Sequence, residues 1–144
     1  MGCDIHLVLE RKFKGVGNWI GVLSTDIGSK GRHRVARRDY SLFANLAGVR
    51  GKPVREQGGR WRNFLPHDAS DLTMQQCAYY GSDGHSHSHM SYDEFKNIWT
   101  NTVASSEDFR HESLDYDLFG LDLSSDYEAS DNEHEFRVVF WFDN

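Results

Sequence analysis

The strongest strand signal in the chain is Phe136-Arg137-Val138-Val139-Phe140-Trp141-Phe142. Aromatic and β-branched side chains pack well on a pleated surface, so this composition is typical of a β-strand. Side chains alternate across a strand, and every second residue from Phe136 to Phe142 therefore falls on one apolar face. So apolar a segment predicts a strand in the middle of a sheet.

A second strand is predicted over residues 4–10, where Ile5, Leu7 and Leu9 alternate with residues that fall on the opposite face. A glycine-rich turn follows, and the next apolar run covers residues 19–23. Two such runs joined by turn residues predict a β-hairpin. The C-terminal strand is a candidate partner for the N-terminal one.

Helix signals lie between these strands. Asp39 can cap a helix with an apolar stripe that includes Phe43, and a short helical turn is predicted from Ser70 or Asp71. The clearest start is Ser91-Tyr92-Asp93-Glu94, a capping box in which the first and last residues satisfy each other's free backbone donors. The elements together predict an α+β fold, a mainly antiparallel sheet with a few short helices packed on one face.

The length of 144 residues is typical of one domain, and we expect residues 1–144 to form one. An acidic stretch at about 104–134 is short of apolar residues and is predicted to be a mobile or ligand-facing insertion. No apolar run is long enough to cross a bilayer, and the start lacks the pattern of a signal peptide. The sequence therefore predicts a cytoplasmic protein without a membrane partner.

Charge is segregated along the chain. Residues 1–62 hold thirteen Lys or Arg against five Asp or Glu, whereas residues 101–144 hold two against twelve. A basic first half can contact phosphate, while an acidic last third tells against general coating of nucleic acid. The two halves could equally neutralise each other on a mixed surface.

Histidines cluster in the segment Ser82-Asp83-Gly84-His85-Ser86-His87-Ser88-His89, which we interpret as a loop. In an extended loop the three histidines point to the same side, and imidazole and carboxylate are standard ligands of Zn and Mn. The predicted ligands of a divalent metal are His85, His87, Asp83 and His6. No paired cysteine motif accompanies them, and a polar loop with backbone hydrogen bonds would have the same composition.

The start of the chain supplies a second pair of polar side chains. Asp4 and His6 project from one face of the first strand and could complete a site with the histidine segment. If the site is catalytic, the candidate residues are His85, Asp83, His6 and Asp4, with a metal that activates water against a phosphoester. The sequence leaves open whether the protein is an enzyme.

A group of arginines with interleaved glycines forms the third signal. Guanidinium is well shaped for bidentate contact with phosphate, and a glycine-rich backbone can approach such a group closely. A solvated basic face would look the same. The predicted ligand-binding residues are Arg37, Arg38, Arg50, Arg55, Arg60, Arg62 and Ser82.

Four segments resemble a family of small uncharacterised phage and prophage proteins: residues 1–6 (MGCDIH), 40–50 (YSLFANLAGVR), 81–86 (GSDGHS) and 139–144 (VFWFDN). The resemblance runs in order from the first residue to the last. It implies an accessory protein in the cytoplasm of a host bacterium, of a kind that often serves in counter-defence or nucleotide metabolism. It implies no particular activity.

Three hypotheses follow. The first is a protein that binds a phosphorylated small molecule or nucleotide through the arginines and the Asp/His cluster. The second is the metal-dependent phosphoesterase. The third is an acidic decoy that captures a host defence protein through residues 105–135, by mimicking the charge of nucleic acid. The aromatic content would also allow a homo-oligomer.

Overall fold

The computed structural model describes residues 2–27, 34–36, 40–49, 64–103 and 134–143. The strands are β1 (Asp4–Phe13), β2 (Val16–Ile27), β3 (Arg34–Ala36), β4 (Gly84–Ser91) and β5 (His134–Asp143). The helices are α1 (Tyr40–Ala47), α2 (Asp71–Tyr80) and α3 (Tyr92–Val103), with a 3-10 turn at Gly81–Asp83. These elements confirm the α+β class.

The five strands form one sheet in the order β3-β2-β1-β5-β4. Strand β5 is antiparallel to β1 on one side and to β4 on the other, and its last residues lie beside the start of β1. The β1–β2 hairpin is antiparallel as well, whereas the short β3 runs parallel to β2. The predicted central position of β5 and its pairing with the N-terminal strand are therefore confirmed.

One face of the sheet is apolar and carries the main core. The alternating residues predicted from the sequence, such as Leu7 on β1 and Phe140 on β5, are fully buried there. Helices α1 and α3 pack on this face, with Phe43 and Phe95 completely enclosed. Burial of each such side chain stabilises the fold by about 1.5–3 kcal/mol relative to exposure.

The opposite face carries a buried ion pair between Glu10 and Arg137. The second carboxylate oxygen of Glu10 accepts hydrogen bonds from the backbone N–H of Ser70 at 2.6 Å and the hydroxyl of Thr73 at 2.8 Å. Arg137 also donates to the carboxylate of Asp68 at 2.9 Å. A buried charge is tolerated when it is paired and hydrogen-bonded, so this network anchors the start of α2 to the sheet.

Two helix starts agree with the sequence. Ser91 accepts a hydrogen bond from the backbone N–H of Glu94 at 3.1 Å, as the capping box requires. Ser70 caps α2, and its hydroxyl accepts a hydrogen bond from the backbone N–H of Thr73 at 3.3 Å. The predicted short turn is thus a ten-residue helix.

Strands extend beyond the segments predicted to form them. Strand β2 continues past the apolar run at residues 19–23 to Ile27, and the short β3 was not predicted. The histidine segment consists of the 3-10 turn and most of β4, because it hydrogen-bonds to the outer side of β5. The acidic stretch at about 104–134 lies outside the described residues except for His134. No helix in the described parts of the chain has the length and apolar character needed to cross a membrane.

Candidate functional site

The polar residues at one corner of the sheet form the candidate site. We call it the histidine corner and define it by His6, Asp26, Tyr80, Trp141 and Asp143. The start of β1, the ends of β2 and β5 and the end of α2 supply these residues. The antiparallel registers place His6 directly opposite Asp26 on one side and Trp141 on the other.

His6 lies between two carboxylates. Its Nδ1 atom is 2.6 Å from Oδ1 of Asp26, and its Nε2 atom is 3.2 Å from Oδ1 of Asp143. The contact with Asp26 is a hydrogen bond, whereas the Nε2 contact has the distance of an ion pair without the geometry of a hydrogen bond. The His6 side chain is only 9 % exposed. It therefore links three adjacent strands from a buried position.

Aromatic rings surround this imidazole. The Tyr80 ring stacks on His6 with a centroid distance of 3.8 Å, and the buried Trp141 ring lies 6.1 Å away. Trp141 in turn stacks against His87 at 6.1 Å. The indole Nε1 of Trp141 is buried and has no hydrogen-bond partner within the described chain. The corner thus combines flat rings, carboxylate acceptors and a buried N–H donor.

The pKa values of His6, Tyr80 and His87 are shifted in different ways by their surroundings. Burial alone lowers the pKa of His6, but the hydrogen bond and charge of Asp26, with the charge of Asp143, outweigh it and raise this pKa above 6.5. Burial and those two carboxylates raise the pKa of Tyr80 to about 12. Burial, with the nearby His85, lowers the pKa of His87. His6 therefore favours the cation, while His87 favours the neutral form that can accept a hydrogen bond.

The predicted catalytic residues do not meet at one point. Asp4 and His6 share a face of β1, and the charge of Asp4 acts on Tyr80 beside His6. In contrast, His85 stacks on Phe142 with a centroid distance of 6.2 Å, on the side of the sheet that carries the core. Asp83 is an exposed residue of the 3-10 turn.

The expectation that the three histidines point to the same side is wrong. A bulge between His85 and Ser88, with a positive φ of 55° at Ser86, shifts the alternation of β4. His87 therefore stacks on Trp141 while His85 stacks on its neighbour Phe142. Consecutive side chains of β5 point to opposite faces, so the two histidines meet different surfaces.

The proposed metal ligands His6, Asp83, His85 and His87 are all described. Within the described residues, no group of three or more His, Cys, Asp or Glu side chains is arranged to hold a metal ion. Both ring nitrogens of His6 already face aspartates. The geometry therefore does not fit a shared site for Zn or Mn at these four residues.

The predicted phosphate ligands fall almost entirely outside the described residues. Arg37, Arg38, Arg50, Arg55, Arg60 and Arg62 belong to this group. Ser82 is described and lies exposed in the 3-10 turn, next to the end of α2. Of the seven predicted ligand-binding residues, Ser82 is therefore the one whose position is described, two residues after Tyr80 of the histidine corner.

Sequence reasoning missed four residues of the corner. Asp143 and Trp141 could have been found, because antiparallel pairing of the last strand with the first puts their segment opposite Asp4 and His6. Asp26 had no such signal, since two register shifts separate it from the turn of the hairpin. Tyr80 had no signal either, because its stacking on His6 depends on how α2 lies over the sheet.

Comparison of the chain with models of protein families, with curated proteins and with solved structures gives no match. The resemblance to phage and prophage proteins therefore stays a prediction. What can be argued about function comes from the chemistry of the histidine corner and of the segments that adjoin it.

Proposed function

We propose that the protein binds a nucleotide or a similar phosphorylated small molecule at the histidine corner. In this proposal the ring of the ligand contacts the aromatic and carboxylate groups of the corner. The phosphate is held by the arginines predicted from the sequence, which follow β3 along the chain.

The observation that carries the proposal is the pairing of β3 with β2. Arg34, the first residue of β3, lies opposite Asp26, whose carboxylate holds His6. The chain then continues from β3 into residues 37–38, two of the arginines expected to contact phosphate. Arg37 and Arg38 follow β3 directly in the sequence, so in this proposal they are the first of the arginines to hold the phosphate, while the ring of the ligand lies at the histidine corner.

The negative charge of the histidine corner determines how the proposed ligand is oriented. Asp26 and Asp143 flank the single imidazole of His6, and Asp4 lies on the same side of β1. Carboxylates repel a phosphate but accept hydrogen bonds from the N–H groups of a base or the hydroxyls of a sugar. A phosphate placed directly on His6 would therefore be unfavourable, and the arginines are the better partners.

An exposed ring beside the corner supports stacking of a base. Tyr79 is 82 % exposed, and its ring makes an edge contact with Tyr80 at 5.2 Å. A ring so exposed can stack on a base, and such stacking contributes about 1–3 kcal/mol.

Isothermal titration calorimetry with AMP, GMP, CMP and UMP, and with the matching nucleosides, tests the proposal. We expect at least one nucleotide to bind with a Kd in the micromolar range and its nucleoside to bind about tenfold more weakly, because the nucleoside lacks the phosphate. Absence of binding by every nucleotide at millimolar concentration would refute the proposal.

Two exposed aromatic residues provide a matched pair of variants. Tyr79→Ala should weaken binding about tenfold by removal of the stacking ring. Phe13→Ala removes a ring that is 56 % exposed at the far end of β1, roughly 23 Å along the strand from His6. That control should leave affinity unchanged, and equal losses in both variants would contradict stacking at Tyr79.

The proposed setting is a phage accessory protein that withholds such a ligand from a host defence pathway. The family resemblance supports this setting, and the cytoplasm of the host bacterium is where the ligand would be met. Native mass spectrometry of protein purified from bacterial cells should detect a co-purifying nucleotide by its mass. The phosphoesterase and the acidic decoy lack a comparable observation among the described residues.

A further inference from the structure

A cleft lies on the same face of the sheet, at the opposite end of α2 from the histidine corner. It encloses about 450 Å³ and is lined on one side by residues 18–21 of β2 and on the other by residues 68–72. Gly21 lets the two walls approach, because a Cβ atom there would lie only 2.4 Å from Cβ of Leu72. The cleft plays no part in the proposed binding of a nucleotide.

The outer edge of β2 runs beside this cleft. Among the described strands, β2 pairs on its outer side only with β3, and only through Asp26 and Ile27. Residues 16–24 contain no charged residue and no proline, which are the usual devices that protect an open sheet edge. Ile20 is 57 % exposed on this edge. The edge is thus chemically suited to accept another strand.

The two sides of the edge differ in chemistry. On the face that α2 covers, the cleft is lined by Asp71 and by Asp68, whose carboxylate is already paired with Arg137. On the other face, the exposed side chain is the apolar Ile20, because Trp19 and Gly21 point toward Arg137 and Leu72. An added strand would place alternate side chains on these two faces.

We propose that the edge of β2 and the adjoining cleft bind an extended segment of a partner protein in which basic and apolar residues alternate. The segment hydrogen-bonds to β2 as an additional strand. Its Lys or Arg side chains enter the cleft toward Asp71, and its apolar side chains cover Ile20. Main-chain hydrogen bonds supply affinity, and the carboxylate of Asp71 selects the basic residues.

The test uses a synthetic peptide with acetylated and amidated ends, Thr-Val-Lys-Val-Lys-Val-Thr, titrated into the labelled full chain. Amide chemical shifts in NMR spectra should change at residues 18–23 and 68–72, and not at β4. A peptide with Glu in place of Lys should bind about tenfold more weakly, because the cleft carboxylates repel it. Equal binding of the two peptides, or no shift at millimolar peptide, would overturn the proposal.

Variants on the exposed surface separate recognition from folding. Ile20→Lys should abolish binding of the Lys peptide, and Asp71→Asn should weaken it about two- to fivefold, as expected for an exposed ion pair. Phe13→Lys, an equally exposed position outside the cleft, is the control and should bind normally. A dimer in analytical ultracentrifugation that Ile20→Lys converts to a monomer would assign the edge to a second copy of the chain and overturn the proposal.

Discussion

At the scale of single residues, the charge of His6 couples three strands. A protonated imidazole carries two N–H groups and interacts favourably with both Asp26 and Asp143. A neutral imidazole carries one N–H group and can donate a hydrogen bond to only one of the two carboxylates. The residue therefore acts as a pH-dependent connection between β1, β2 and β5. Its position under the ring of Tyr80 limits the access of water to this connection.

This arrangement predicts how stability depends on pH. Because the pKa of His6 is raised in the folded protein, its stabilising contribution is fully present below the unfolded value of 6.5 and is lost as the pH rises through the folded value. The difference in unfolding free energy between the wild type and His6→Gln should be largest below pH 6.5 and should shrink as the pH rises above that value. Urea denaturation at each pH measures that difference.

The exposed His67 provides the control for this measurement. His67→Gln should change the unfolding free energy by less than about 0.5 kcal/mol, since this side chain lies on the surface. A difference between wild type and His6→Gln that grows with rising pH would contradict the assigned role of His6.

At the scale of elements, close contact between α2 and β2 depends on Gly21. Any larger residue would have to displace the Cβ atom of Leu72, which is fixed to the backbone of α2. The helix is also held by the Glu10–Arg137 ion pair, so it cannot easily move away. The distance between α2 and β2 is therefore fixed at this point.

Alanine substitution of two glycines tests this spacing. Gly21→Ala should lower the unfolding free energy by about 1–3 kcal/mol, as overpacking does. Gly84→Ala should be neutral or stabilise by up to about 1 kcal/mol, because its φ of -75° suits alanine. A Cβ atom there would also meet only ordinary contacts, the nearest at 3.4 Å. Denaturant titration of both variants gives the comparison, and equal effects would contradict a specific clash at Gly21.

The sequence predicted the elements better than their contacts. Alternation of apolar residues was sufficient for β1 and β5, and the Ser91 capping box was sufficient for the start of α3. The histidine segment was misinterpreted as a loop, because serine and histidine have no strand signal and the segment is strand only through pairing with β5. The bulge between His85 and Ser88 arises from the same pairing, and the residue pattern does not predict it.

At the scale of the whole molecule, β1 and β5 form the centre of the sheet and carry its most buried residues. We expect hydrogen exchange to report this order, because amides in central strands open only with global unfolding. Amides of Leu7 and Phe140 should exchange slowest, and those of the three-residue strand β3 should exchange much faster. Exchange from β5 as fast as from β3, measured by NMR or mass spectrometry, would contradict this order.

The pairing of Asp4 with Asp143 joins positions separated by nearly the whole chain. During biosynthesis, β1 and the β1–β2 hairpin leave the ribosome long before β5 can cover their apolar face. Contacts so distant in sequence form slowly, and apolar surface left uncovered in the meantime promotes aggregation. Production of the protein in a cell should therefore depend on chaperones that bind nascent chains.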